Sequence, residues 1–278
     1  MCARSPEKGK AAIANIRKIH PSANINLLQI DHMDLSSVVA AAKQFLALET
    51  ALHGLINNAG IMATPFELSK DGHEAQWQTN YLAHWVLTDH LLPLMRRTAK
   101  TLPPGSVRIV NLTSSGHLSA PKYGINFKDL VLEDSGPLPR YGQSKLANIL
   151  HTKTLHKTYG PGSPSARNEG EIWVSSVHPG LVETNLATSL GESGSGIMRV
   201  FSVLRMFGLM WPADKGSGTS LFCAASRDMK PEQSGTYIEI FGRFGEPWWQ
   251  SGSAKDEKLA ERLEEWTREA MRIEGWIQ

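Results

Sequence analysis

The sequence predicts an α/β fold with a doubly wound, mostly parallel sheet, and three observations carry that prediction. Strand-sized apolar runs alternate with helical periodicities along the chain. No internal repeat or low-complexity segment interrupts the alternation. Polar clusters fall where the strands end: Asp31 and Asp34, Asn57 to Gly60, Thr113 to Ser115, and His178 to Gly180. Ligands of open parallel sheets bind beyond the carboxyl ends of the strands, so clusters sharing that rim mark a site.

In order, residues 7–19 read as a helix with Ala11, Ala12, Ile13, Ile16 and Ile19 as its apolar stripe. Residues 24–30 read as a strand, and Ser36 or Ser37 can cap a helix over 36–50. A short strand at 52–56, interrupted by Gly54, ends in the tight-turn composition Asn57-Asn58-Ala59-Gly60. Residues 71–97 carry the longest helical pattern, with Trp77, Tyr81 and Trp85 at i, i+4 and i+8. A buried strand at 107–112 is followed by a polar insertion at 118–139 and a helix from Tyr141. Residues 160–170 form a loop, 171–177 a strand, and 236–241 a last strand. A helix opens at Pro212 and runs to about Ser226, and 254–274 is a charged amphipathic helix. Residues 1–278 read as one domain.

Composition excludes several classes. At 278 residues, 41% hydrophobic and 20% charged, the chain reads as an ordinary globular protein. A net charge of +2 argues neither for nor against nucleic acid, but no basic run interleaved with aromatics suggests such a partner, and none is expected. Cys2 and Cys223 form no metal-type or redox-type pair, His178 has no ligand companion at useful spacing, and no metal is expected. No apolar run reaches transmembrane length and no signal peptide opens the chain, so the expected home is the cytoplasm.

The chemistry centres on Arg140 to Leu150, where Tyr141 and Lys145 stand four residues apart on one helix face. An ammonium beside a phenol favours the phenolate and lowers its pKa, making a tuned acid/base. Taken alone, the pair reads better as an exposed Tyr and Lys on an amphipathic helix, and Ser114 as a turn residue.

Together these residues resemble the short-chain dehydrogenase/reductases, within them the retinol-dehydrogenase-like branch and its fungal relatives. Asn57-Asn58-Ala59-Gly60 is similar to that family's motif after its fourth strand. Asn80, Ser114, Tyr141 and Lys145 match its catalytic Asn, Ser, Tyr and Lys, with Ser115 the alternative in register. The resemblance implies a Rossmann-type fold and an NAD(P)-dependent oxidoreductase that interconverts a hydrophobic alcohol and its ketone or aldehyde. Tyr141 would pass the proton, Ser114 would hydrogen-bond the substrate oxygen, and Asn80 would keep a water in a relay to Lys145. Lys145 would lower the tyrosine pKa and hold ribose hydroxyls. The implied cofactor contacts are Asn58, Ala59, Gly60, Tyr141, Lys145, Pro179, Gly180, Val182 and Thr184, with Asp34 at the adenine. Asp34 also reads as a helix-start residue. Arg4, just after the expected second strand, implies NADP rather than NAD; a solvated terminal arginine is its other reading.

The resemblance implies a substrate lid at 185–211, whose apolar content suits a hydrophobic substrate, and Tyr123, Ile125, Phe127 and Leu130 are expected to shape the pocket. The two long helices often pair across a dimer interface in that family, which leaves a homodimer open and suggests a use for Trp77, Tyr81 and Trp85. The family opens with a strand, a Thr-Gly-x-x-x-Gly-x-Gly loop and a helix, and this sequence shows none of the three. The expectation is therefore an N-terminally truncated chain, from a misplaced start codon or a shortened gene. Its strand at 24–30 would lack a neighbour and its strand at 52–56 would have an unpaired edge. Two further readings stand beside the oxidoreductase: an inactive family member unable to hold cofactor, and an epimerase or dehydratase on the same scaffold.

Overall fold

A computed structural model describes residues 1–180, 182, 212, 215–239 and 250–278. The expected lid at 185–211, Thr184 and the end of the expected strand at 236–241 lie outside the described residues.

Two parallel sheets form among the described residues. In the smaller, strand β1 (Cys2–Ala3) pairs with β2 (Leu28–Gln29), linked by helix α1 (Pro6–Ile19). Ser5 caps α1 by accepting from Lys8 N at 3.2 Å, and Pro6 begins it where no N–H is needed. Gly9 lets α1 lie close, since a Cβ there would come within 2.6 Å of the Leu27 side chain. The strand expected over 24–30 is therefore only two residues long, because its partner is only two long. It also has a neighbour, against expectation, since Cys2 and Ala3 supply one.

Helix α2 (Leu35–Leu48) is capped by Asp34, not by Ser36 or Ser37. Asp34 has the extended backbone of a cap, and its carboxylate accepts from Ser36 N at 3.0 Å and Ser37 N at 3.4 Å.

The larger sheet runs β3 (Gly54–Asn57), β4 (Val107–Leu112), β5 (Ile172–His178), β6 (Tyr237–Glu239), all parallel in that spatial order. Asn57, Asn111, Ser176 and Tyr237 form one row across it, near the carboxyl ends. Strand β3 is the edge, as expected, and Ile56 on it is 44% exposed.

One face of this sheet carries two long helical rods. The first joins α3 (Ala75–Trp77) to α4 (Ala83–Lys100) through a π-helical turn, Gln78–Leu82. The second is α5 (Pro137–Tyr159), which starts at Pro137, a turn before Tyr141. The short helix α6 (Ala166–Glu169) lies in the 160–170 loop. Helix α7 (Gly218–Ala225) covers the other face, burying Cys223 with Val110, Trp173 and Ile238. The C-terminal segment splits into α8 (Gly252–Lys255) and α9 (Glu257–Ile273), because Asp256 caps α9 by accepting from Leu259 N at 3.0 Å.

Helix α9 lies across α4 and α5, and this corrects two expectations. Trp77, Tyr81 and Trp85 are buried in one cluster with Leu146, Leu150 and Leu263, so these rings do not face a second copy. Tyr81 pairs its hydroxyl with Thr267 at 2.7 Å, and Trp85 Nε1 donates to Glu264 at 2.9 Å. Ile125, Phe127 and Leu130 pack into the same cluster rather than lining a pocket, and Tyr123 is 81% exposed. Burial of about 25 cal/mol per Å² of apolar surface favours the first three where they are.

Leu263→Ala should lower stability by about 2–5 kcal/mol, as a cavity opens under Trp77, Tyr81 and Trp85. Urea denaturation checks it; a loss below 1 kcal/mol would show that α9 is not part of the core.

Candidate active site

The rim of β3, β4 and β5 gathers most of the residues singled out from the sequence. Ser114 follows β4 and begins a 3-10 turn, Ser115–Ser119, where its Oγ accepts from Gly116 N at 3.0 Å. Tyr141 and Lys145 occupy the buried face of α5, and Asn80 stands in the π-helical turn with no exposed surface. Lys145 Nζ is 5.8 Å from the centre of the Tyr141 ring.

The segment after β3 approaches this group closely. Asn80 receives Ile61 N–H at 2.8 Å and donates to Ile61 O at 2.9 Å and Ser144 Oγ at 2.9 Å. A Cβ on Gly60 would lie 3.1 Å from Asn80 Oδ1 and 3.3 Å from Lys145 Nζ, so glycine lets this backbone pack close against both. Asn58 is exposed and Ala59 half-buried next to it. Pro179 and Gly180 follow β5; Gly180 has φ 88°, a conformation other residues resist. Val182 packs against Gly216.

Arg4 and Asp34 lie elsewhere, at the carboxyl ends of β1 and β2. Arg4 is exposed, and its carbonyl accepts from Gln29 Nε2 at 3.3 Å. The Asp34 carboxylate is engaged twice, as the α2 cap and by Lys70 Nζ at 2.6 Å; that hydrogen bond, then those of Ser36, hold its pKa down to about 2.

Burial dominates the electrostatics. It pushes the Tyr141 phenol up to about 12, with a hydrogen bond to Ser114 only partly opposing it. It draws Lys145 down to about 8. The expectation that Lys145 lowers the tyrosine pKa is thus not met: Nζ donates to Leu112 O at 3.1 Å, and desolvation outweighs the distant ammonium. His178 is buried and drawn down to about 4, first by burial and then by His117 and Lys145.

Three supporting groups escaped the sequence reading. Asn148 Nδ2 donates to Asn80 O at 2.9 Å and Leu112 O at 3.0 Å. It stands three residues after Lys145 and seven after Tyr141, a spacing that places it on their helix face. Arg140 and Glu74 form a buried pair at 3.3 Å. Arg140 also donates to the carbonyls of Leu132, Ser135 and Thr64, fastening two loops to the start of the Tyr141 helix. His117 is fully buried beneath Ser114.

A model of the short-chain dehydrogenases matches residues 1–125. A short-chain dehydrogenase/reductase, drtF, of Aspergillus calidoustus is 50% identical over 274 residues, covering 98% of this chain and 85% of the relative. The chain belongs to the short-chain dehydrogenase/reductase family. Mouse retinol dehydrogenase 12 is 34% identical over 92% of this chain and 72% of its own. Among solved structures, a Mycobacterium paratuberculosis protein matches with TM-score 0.68 and 28% identity, over 98% of this chain and 83% of that one. An NADPH-bound carbonyl reductase from chicken fatty liver, TM-score 0.57 and 22% identical over 87% and 84%, shares the fold. Members of this dehydrogenase/reductase family are oxidoreductases, and this chain is an enzyme of that class.

Two outcomes follow for this dehydrogenase/reductase. Arg140→Ala strands Glu74 in the interior and should cost about 3–5 kcal/mol of stability in denaturation. Lys145→Met should instead raise the melting temperature at pH 7 by a few degrees while abolishing turnover. A lysine held near 8 rather than 10.5 costs folding about 3 kcal/mol, and the lost bond to Leu112 O returns only about 1 kcal/mol. The sign follows from linkage: below about pH 8 both states carry the proton and the full cost applies, whereas between 8 and 10.5 only the unfolded chain keeps it and stability rises. A lower melting temperature for the variant at pH 7 would contradict the burial argument.

Proposed function

We propose that this chain is an NADP(H)-dependent oxidoreductase acting on a hydrophobic ketone or aldehyde and the corresponding alcohol. One observation carries the reading: Ser114 and Tyr141 meet at Gly116, and Lys145 and Asn80 meet at Gly60, whose backbone comes so close that a Cβ would lie 3.1 Å from Asn80 Oδ1 and 3.3 Å from Lys145 Nζ.

The close backbone at Gly60 and the positive φ of Gly180 suit contact with a nicotinamide and its ribose. Lys145 and the Asn58 to Gly60 backbone would hold the ribose, and Pro179, Gly180, Val182 and Thr184 the nicotinamide. Asp34 would lie near the adenine. Arg4, an exposed cation after β1, would meet a 2′-phosphate, which supports NADP over NAD. A bound nicotinamide supplies or takes the hydride.

The chain's own groups handle the proton. A phenol held near 12 keeps its hydrogen through neutral pH, so Tyr141 serves as the donor to a carbonyl oxygen that becomes an alcohol. Ser114 Oγ donates to the same oxygen as negative charge develops there. Lys145 Nζ and Asn148 Nδ2 share the Leu112 carbonyl, and Asn148 also donates to Asn80 O. The apolar composition of 185–211 and the retinol in one relative's name support a hydrophobic substrate. The two unpaired cysteines suit a reducing compartment, and we place the protein in the cytoplasm; no described helix is long and apolar enough to cross a membrane.

The second reading is a family member that keeps these residues but does not hold cofactor. Millimolar NADPH should raise the melting temperature by several degrees, more than NADH does, and Arg4→Ala should close that gap; no shift with either cofactor selects the second reading. Tyr141→Phe should abolish reduction of an apolar ketone while keeping the NADPH shift. Turnover should fall as pH rises through about 8, where Lys145 loses its charge. A profile flat to pH 10 would remove Lys145 from the reaction.

A further inference from the structure

We propose that His117 is a positioning residue for Ser114, a ring held in one tautomer that fastens the Ser114 carbonyl on one side and the start of α8 on the other. The inference rests on the oxidoreductase reading, because it assigns Ser114 a place at the substrate oxygen.

The geometry leaves the ring one role at each nitrogen. Nδ1 is 2.8 Å from Ser114 O, an atom that only accepts, so Nδ1 carries the hydrogen. Nε2 is 3.2 Å from Ser251 N, which only donates, so Nε2 is bare. A ring turned over would present carbon to both partners. His117 has no exposed surface, and its ring meets Tyr237 of β6 edge-on, with centroids 5.4 Å apart. Three separate parts of the chain therefore close on one imidazole: the turn after β4, the last described strand, and the segment leading into α8.

The Ser114 carbonyl takes both of its hydrogen bonds from this residue, from His117 N at 3.0 Å and from the ring. On the near side, Ser114 Oγ closes the turn by accepting from Gly116 N. Gly116 presses against Tyr141, since a Cβ there would come within 2.6 Å of Tyr141 Cε1. The turn has no slack between ring and phenol, so loss of the Nδ1 contact moves Ser114 relative to Tyr141. Misplacement by about 1 Å at a reacting centre costs on the order of a hundredfold in rate.

Two substitutions separate the ends of the ring. His117→Asn keeps an amide N–H near the Nδ1 position and loses the contact to Ser251. His117→Gln reaches Ser251 N with its amide oxygen and loses the donor to Ser114. In carbonyl reduction with NADPH, H117Q should lower kcat by about tenfold to a hundredfold. KM and the NADPH thermal shift should hardly change. H117N should stay within about threefold of the parent kcat. Leu263→Ala, remote from the site, controls for lost stability and should leave kcat unchanged. H117Q with the parent kcat, or H117N as impaired as H117Q, overturns the proposal. Nitrogen-15 NMR of the unsubstituted chain supplies an arm that needs no turnover: His117 should show a protonated Nδ1 and a bare Nε2, and the opposite tautomer overturns the proposal. If the chain reduces no carbonyl, the oxidoreductase reading fails, and the tautomer still decides the contact.

Discussion

Two backbone carbonyls, those of Asn80 and Leu112, hold the site together. A carbonyl inside a regular helix or strand is taken by the ladder, but these two lie at irregularities. Asn80 is in the π-helical turn, and Leu112 is the last residue of β4. Each must find donors in a dry interior. Asn148 bridges them, His84 completes Asn80 at 3.1 Å, and Lys145 completes Leu112. From Asn148 the polar contacts run on through Thr152 and Asn111 to Asn57. The helix that carries Tyr141 is thereby tied to β3 and β4, two of the three strands whose ends form the rim. A network of this kind specifies one arrangement because a half-satisfied version costs more than an apolar core.

That arrangement puts chemistry and stability in opposition. An ammonium and a phenol are buried side by side, and burial opposes the charged form of each. The lysine carries most of the cost at neutral pH, since the phenol is neutral there in either state. Families of enzymes keep such costs where activity needs them, and the surrounding core must supply the difference. Here α9 does so, covering the two long helices with an amphipathic face whose buried residues include Leu263, Thr267 and Met271.

Legibility in the sequence followed the range of the interactions. The alternation of strands and helices, and the rim clusters, were local signals and led to the parallel sheet. The spacing of Tyr141 and Lys145 placed both on one face, and Asn148 was readable by the same rule. Trp77, Tyr81 and Trp85 were visible as a stripe, but which surface covers them depends on α9, more than a hundred residues later. His117 was not readable at all: its partner Ser251 is 134 positions away. The strand at 24–30 looked longer than it is because apolar alternation does not reveal how long the partner strand will be. The Tyr141 pKa was misjudged for a related reason. Adjacency was legible from spacing, while the depth of burial that outweighs it depends on the packed whole.

The proposed cofactor site is divided between two sheets that share no strand pairing among the described residues. Arg4 and Asp34 belong to the β1–β2 pair, and Gly60, Tyr141 and Lys145 to the larger sheet. A shared apolar core, in which Ile30, Leu35, Val38 and Ala42 are buried with Leu82 and Val86, connects them instead, together with polar contacts. Gln78, in the same π-helical turn as Asn80, donates to His32 O at 3.1 Å and Asp71 at 2.7 Å. Asp71 in turn accepts from Leu35 N at 2.8 Å, and Lys70 N reaches Met33 O at 3.2 Å. Each such polar contact is worth about 1 kcal/mol and adds to the shared apolar core. A dinucleotide spanning from Arg4 to Lys145 would bind only when both sheets are in register. Binding and the docking of the sheets are then linked, and each must strengthen the other by the same free energy. The π-helical turn is where the two meet, since Asn80 faces the chemistry and Gln78, two residues away, faces the joint.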